Sequence, residues 1–479
     1  MRLQRLAWVL AAAALAASAA TAHAQRANGV GVGNGPGHGI STHGGNGGRL
    51  TPNGGLLDGP GISVTPGPQF IDNGPVKPDT PRRERRTQRR GNPAPAGGGP
   101  QLPDEVVFEV ASSAAAARID AMLRSLRLTV LDRQTFQLTG KTFYRCRITD
   151  GRSVTAVTAA LRRNAAVVDF AQGNSVFTAQ ADAKSPAADA QYELAKLHLP
   201  QAHAIAKGDN VRVAVIDSGV DVSNPELAGS IADTFDTLDP PTRPHAHGTS
   251  IAALIAAHGK LTGSAPDAQI LAARAFDAAD NGGARGNTFN ILKGLDWAAS
   301  QGARVVNMSF AGPNDAALHR LIVAAHEKGI VLVAAAGNAG PRSPPLFPAA
   351  DPNVIAVTAT DAADKLFAHA NRGDHIAIAA PGDQILVALP GGKYEVSSGT
   401  SYSAAEISGI VALMLQREPD LTPEKVRAIL MRTARDLGDK GRDPLFGAGL
   451  ADAYGALMAE KPPVATAASP AEKADAGRR

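Results

Sequence analysis

The chain has 479 residues, a net charge of +4 and 44% hydrophobic residues, enough for two or three domains and a sizeable core. The charge is local: residues 77–90 hold Lys77, Arg82, Arg83, Arg85, Arg86, Arg89 and Arg90 against Asp79 and Glu84, so seven cations less two anions put +5 there and leave the rest close to neutral. This excludes a broad basic face for nucleic acid, and a single cysteine, Cys146, excludes an intramolecular disulfide.

Residues 1–24 read as a secretory signal. Arg2 and Arg5 precede an apolar run over 6–20, and Ala22-His23-Ala24 supplies a small-x-small cleavage site before Gln25. The run is shorter than the roughly 20 apolar residues a membrane span requires, and no later segment is long and apolar enough, so membrane insertion is not expected. The expected location is secreted or periplasmic.

Residues 25–102 form a Gly/Pro-rich linker that includes the Arg cluster. Positions 26–102 contain 20 Gly and 11 Pro in 77 residues, which cannot bury enough apolar surface to offset the entropy of ordering. The cluster is read as solvated linker, with contact to an acidic surface or proteolytic processing as alternatives.

Residues 103–180 are expected to be ordered. Strands are predicted over 105–110, 128–138 and 142–148, helices over 114–126 and 153–163, and a last strand from 166 to 170 that resumes near 175–178. That is a β-α-β-β-α-β order, a small ferredoxin-like α+β domain. Cys146 is expected to pack as a small apolar residue in its strand.

After a polar connector at 181–190, residues 191–460 alternate strands and helices. Strands are predicted over 211–216, 270–276, 305–308, 330–335, 354–358 and 376–379. Helices are predicted over 247–258, 288–301, 315–328 and 402–416. This pattern implies an α/β fold, a mostly parallel sheet with helices on both faces. Sites in such sheets form at the carboxyl ends of the strands. Residues 461–479 read as a flexible tail.

Three polar residues stand where such a sheet presents chemistry. Asp217 ends the apolar strand Val-Arg-Val-Ala-Val-Ile-Asp, His247 opens a small-sided helix, and Ser401 precedes another apolar helix. Each alone has a bland reading, as a turn residue, a structural histidine and an N-cap. Together, Asp…His…Ser is one of the known chain orders for a nucleophile, its base and the group that orients the base, and it is not that of chymotrypsin or the α/β-hydrolases. Asn338, after Gly337 in Ala-Ala-Gly-Asn, can donate its amide to an oxyanion together with the Ser401 backbone N–H.

These segments resemble the subtilisin-like (S8) serine proteases from about residue 191 to 457. The match includes Val-Ile-Asp-Ser-Gly-Val-Asp, His-Gly-Thr, Val-Asn-Met-Ser (306–309), Ala-Ala-Gly-Asn, Phe-Pro-Ala-Ala (347–350), Ala-Pro-Gly (380–382) and Gly-Thr-Ser. The resemblance implies a subtilisin-like catalytic domain over 191–460 and an inhibitory propeptide over 103–180. It implies Asp217, His247 and Ser401 as the triad, with Ser309, Phe310, Ala311 and Gly337 lining the substrate site. The stretch 282–286, ending at Gly286, would form the opposite edge, so that protein or peptide substrates bind as extended strands. A monomer is expected.

Departures from the family pattern qualify this. Tyr402-Ser403-Ala404-Ala405 replaces the usual Met-Ala-Ser-Pro, and Glu406 replaces a later His. Ala311 stands where Gly is customary, and the neutral Ala339 after Asn338 favours a hydrophobic P1 residue over a basic one. The loop 258–263 is short and Glu226 replaces a ligating Asp, so no metal or other cofactor is expected, although a weak structural calcium elsewhere is left open. Rival readings are an inactive secreted binding module of the same fold and a transpeptidase or ligase.

Overall fold

The computed structural model describes residues 99–179, 191–238, 246–279 and 283–459. The expectations for 1–24, for most of 25–102, for 181–190 and for 461–479 concern segments outside the described residues.

The N-terminal module has the expected order: β1 (Gln101–Val110), α1 (Ala116–Ser125), β2 (Leu128–Phe136), β3 (Lys141–Ile148), α2 (Val154–Arg163) and β4 (Val168–Ala179). Its antiparallel strands run β2-β3-β1-β4. Alternation along β1 turns Val106, Phe108 and Val110 toward Met122 and Leu123 of α1 and Leu161 of α2, forming a small core of its own. Cys146 is fully buried there, and burial pushes its thiol up to about 12, so it packs as a small apolar group.

Two boundaries differ from expectation. β1 begins at Gln101, not at 105, and it runs through Pro103, which has no N–H to give, because this residue sits where the β1–β4 register shifts and needs no ladder bond. β4 is one strand without the expected break, since β1 pairs through Gln172 and Gly173 and holds these weak strand formers extended.

The larger body follows with α3 (Tyr192–Lys196), α4 (Leu199–His203), β5 (Arg212–Asp217), β6 (Ile231–Asp236), α5 (Ala246–Ala256), β7 (Gln269–Arg274), β8 (Phe276–Ala278) and β9 (Ala284–Asn287). Next come α6 (Thr288–Ser300), β10 (Val305–Met308), α7 (Ala316–Glu327), β11 (Val331–Ala335), β12 (Val354–Thr360) and β13 (Ile376–Pro381). The hairpin β14 (Ile385–Leu389) and β15 (Lys393–Ser397) precedes α8 (Thr400–Arg417), α9 (Pro423–Thr433) and α10 (Ala453–Met458).

Seven parallel strands run in the order β13-β12-β11-β10-β5-β7-β6. Period-two alternation feeds both faces. Val213 and Val215 of β5 join the core under α5 and α8, while Ala214 and Ile216 join the core under α6 and α7. Strand order reverses at β5, which lies between β10 and β7, so the switch point opens beside the carboxyl end of β5. A second sheet continues β2-β3-β1-β4 into β9 and β8, and so joins the N-terminal module to the larger body.

Val107, Phe136, Phe143 and Phe177 of the module belong to the core beneath α6 and α7. Polar bonds ring this contact: Lys293 to Asp132 at 2.9 Å, Arg320 to Glu109 at 3.0 Å, and the Leu138 N–H to Asp296 at 2.7 Å. Among the described residues, no helix is long and apolar enough to cross a membrane.

Candidate active site

Asp217 is the last residue of β5 and His247 the second of α5. Both are buried, and His247 Nδ1 lies 2.9 Å from each Asp217 carboxylate oxygen. A ring nitrogen facing two acceptors carries the proton, so this contact selects the tautomer with Nε2 deprotonated in the neutral ring. The N–H and hydroxyl of Ser218 also donate to Asp217 Oδ1, at 2.7 and 3.0 Å, and the Gly248 N–H donates to Ser218 Oγ at 3.1 Å. Strand end and helix start are thereby tied together.

Ser401 is not the N-cap. Gly399 occupies that position and Ser401 is the second residue of α8, so its N–H lies in the first turn, where no intrahelical acceptor exists. Its hydroxyl donates to the Ser309 carbonyl at 3.1 Å, and Ser309 Oγ donates to the Ser401 carbonyl at 2.9 Å. The ring of Tyr402 stands 6.1 Å from that of His247, which brings the start of α8 beside the imidazole.

Asn338 follows β11 and Gly337. Gly337 has φ +107°, and a Cβ there would stand 2.7 Å from Asn371 Nδ2, so only glycine fits. The Asn338 amide oxygen accepts from the Thr400 N–H at 3.1 Å and from its hydroxyl at 2.8 Å, while Thr400 Oγ1 accepts from the Gly337 N–H at 3.1 Å. With its oxygen committed, the direction of the Asn338 NH2 is set.

Ser309, Phe310 and Ala311 continue from β10 along one side of a cleft, and Gly286 lies in β9 on the other. Gly282, the expected start of that edge, lies outside the described residues. Between the edges runs the end of β4. Thr178 bridges Ala311, and Phe177 pairs with Gly286 in register. Phe177 is fully buried, edge-on to Phe310 at 5.9 Å between ring centroids, and Phe310 meets Phe276 at 4.8 Å. A Cβ at Gly312 would come within 2.3 Å of the Phe177 ring. Beyond β4, a cavity of about 120 Å³ is lined by Ala311, Ala335, Gly337, Asn338, Ala339, Leu346 and Ser401 among others, and no lining residue is ionisable.

Thr400, Gly312 and Phe276 escaped the reading of the sequence. Thr400 was visible within Gly-Thr-Ser, but its role needs the approach of α8 to β11, and the two others matter only because Phe177 arrives between them.

No group of three or more His, Cys, Asp or Glu side chains among the described residues is placed to hold a metal. Glu226 is buried, and its carboxylate accepts from the N–H groups of Lys260 at 3.1 Å and Leu261 at 2.9 Å and from the Tyr394 hydroxyl. Burial opposes its ionisation, but the Tyr394 hydroxyl and the backbone donors outweigh that and hold the carboxyl below its ordinary range.

A model of the subtilase family (Peptidase_S8) matches residues 208–449. Minor extracellular protease Epr of Bacillus subtilis (strain 168) is 34% identical over 268 residues, 54% of this chain, which spans 40% of the length of that protein. Thermitase of Thermoactinomyces vulgaris is 34% identical over 276 residues, 56% of this chain and 96% of thermitase. The crystal structure of fervidolysin from Fervidobacterium pennivorans, a keratinolytic enzyme related to subtilisin, superposes with a TM-score of 0.66 at 24% identity. It covers 76% of this chain and 62% of its own, a likeness of fold.

Proposed function

Since the chain belongs to the subtilase family, we propose that it is a secreted serine endopeptidase, made as a precursor whose N-terminal domain inhibits it and is removed by its own active site. The observation that carries this reading is the seat of β4. Its end lies between β9 and Ala311 as an extended substrate would, with Thr178 and Ala311 exchanging backbone bonds of 3.0 Å in both directions.

In the reaction, Asp217 holds the His247 imidazole through Nδ1–H, and His247 Nε2 accepts the proton of Ser401 as Oγ attacks the scissile carbonyl. For this the Ser401 hydroxyl turns from Ser309 O toward the imidazole. The tetrahedral oxyanion receives the Ser401 N–H and the Asn338 amide, the latter oriented in advance by Thr400. His247 then protonates the leaving amine, and water releases the acyl group by the same steps in reverse. Export follows from the leader-like residues 1–24.

The family members it matches support hydrolysis, and the non-ionisable cavity beside Ser401 suits an uncharged P1 side chain. Residues 177–180 would be the first product held in the cleft, with the cut falling in the connector up to 190. The test is the full chain with Ser401→Ala, made without other proteases and compared with the wild type by mass and N-terminal sequencing. The variant is expected to remain whole and inactive on a denatured protein, whereas the wild type trims itself near 180–190. Turnover by the variant would end the assignment of the nucleophile, and identical N-termini would end self-processing.

A further inference from the structure

A chain of buried hydrogen bonds runs from the interior of α8 back to the candidate nucleophile, and its polarity can be read in one direction. Ser309 Oγ lies 2.9 Å from the Ser401 carbonyl oxygen. A carbonyl has no proton to give, so the proton between them belongs to Ser309, whose lone pairs must then face a donor. That donor is Asn307 Nδ2, 2.8 Å away. With its NH2 so committed, Asn307 turns Oδ1 to the hydroxyl of Ser408 at 3.1 Å. Ser408 shares its single proton with the Ala404 carbonyl at 2.8 Å. Asn307, Ser309 and Ser408 are fully buried and Ser401 is 3% exposed, so water does not compete for these bonds.

We infer that Ser408 and Asn307 are positioning residues for the nucleophile: Ser408 selects the orientation of the Asn307 amide, and that orientation makes Ser309 a donor to the Ser401 carbonyl. The inference rests on the reading of Ser401 as nucleophile. In the reverse orientation Oδ1 faces Ser309, takes its proton and leaves the Ser401 carbonyl without that donor. The carbonyl and the N–H of Ser401 flank the same Cα, so holding one restrains the other. Thr400 secures the turn from the Asn338 side, and the relay secures it from beneath. Because the Ser401 N–H meets its acceptor only when the oxyanion forms, loosening it acts on the transition state and not on ground-state binding.

Ser408→Ala removes the selecting hydroxyl and nothing larger. It is expected to lower kcat on a peptide substrate by about fivefold, the equivalent of one ordinary hydrogen bond, with KM unchanged. The effect is expected to vanish when Ser309 is already alanine, so that Ser309→Ala/Ser408→Ala equals Ser309→Ala alone. Wild-type kcat in Ser408→Ala, or single effects that simply multiply, would overturn the relay. A readout that needs no turnover is hydrogen exchange of the 15N-labelled Asn307 side-chain NH2 in the full chain carrying Ser401→Ala. There Ser408→Ala is expected to speed exchange by about tenfold or more, and equal rates would overturn the relay whatever reaction the site performs.

Discussion

Thr178 and Ala311 face each other across two backbone hydrogen bonds of 3.0 Å, the N–H of each donating to the carbonyl of the other. This reciprocal pair joins the last strand of the N-terminal module to the segment that leads from β10 past Ser309, on the side of the cleft where Ser401 stands. Affinity of this kind comes from main chain and is indifferent to sequence. Preference has to come from side chains such as Phe177, which fills the space left by Gly312 between Gly286 and Phe310.

If Phe177 anchors the module, Phe177→Ala loses the burial of one aromatic side chain, about 1.5–3 kcal/mol or roughly ten- to hundredfold in affinity. The full chain carrying it is expected to develop activity sooner than the wild type. Module 99–179 carrying the change is expected to inhibit the processed enzyme with a correspondingly higher Ki, competitively against substrate. An unchanged Ki would mean that backbone pairing alone holds the module.

Asn338→Ala is expected to lower kcat by about 10²–10³-fold with little change in KM, the loss known for removal of such a donor in subtilisin itself. Thr400→Val keeps the N–H that binds Asn338 Oδ1 but removes the hydroxyl at 2.8 Å. Its kcat is expected to fall by about three- to tenfold. A loss confined to KM in either variant would make Asn338 a substrate-binding residue.

Glu193 of α3 and Glu406 of α8 are a buried acidic pair, 0% and 1% exposed. Burial pushes Glu193 up to about 7, and burial together with the nearby Glu193 pushes Glu406 well above its usual range, against a hydrogen bond from Ser264. The neighbouring Tyr192 is raised as well, by burial and then by the carboxylates of Glu193, Asp383, Asp361 and Glu406. Both carboxyls are raised, so the folded chain binds protons that the unfolded chain has released. That contribution to stability is complete below about pH 4.5 and is lost as pH rises through 7 and beyond. Melting temperatures of the Ser401→Ala chain should therefore decline from pH 5 to pH 9, and Glu406→Gln should flatten the decline. A parallel curve for Glu406→Gln would show that the pair does not set it.

A chelator is expected to leave the melting temperature of the same chain unchanged. The Glu226 carboxylate already receives Lys260 N–H, Leu261 N–H and the Tyr394 hydroxyl, and these bonds fasten the loop after α5. Tyr394→Phe is expected to cost about 1–3 kcal/mol by leaving part of a buried carboxylate unsatisfied. A fall in melting temperature on chelation, restored by calcium, would place a metal in the protein.

Much of this molecule is written in local patterns. Six of the seven strands of the parallel sheet lie within a residue or two of expectation because their apolar runs have no other place than between two layers of helix. Asp217, His247, Asn338 and Ser401 were legible because each stands at the junction of an apolar strand or helix with a polar turn. β6 was not legible: it carries Asp233 and Asp236, is mostly exposed, and is a strand only because β7 offers it a ladder. The β14–β15 hairpin was likewise invisible, since such pairing satisfies backbone groups whatever the side chains are.

The sequence by itself determined the α/β class, the two-part organisation and which residues could do chemistry, because period, turn residues and motif order act over a few neighbours. Only the tertiary structure decided that Thr400 directs the Asn338 amide, that Glu193 and Glu406 share one buried site, and that Ser408 reaches Asn307 and through it Ser309. Each of these depends on the approach of α8 to elements distant in the chain. Hydrogen-bond direction and desolvation act over a few ångströms in space, and separation along the chain carries no record of such distances.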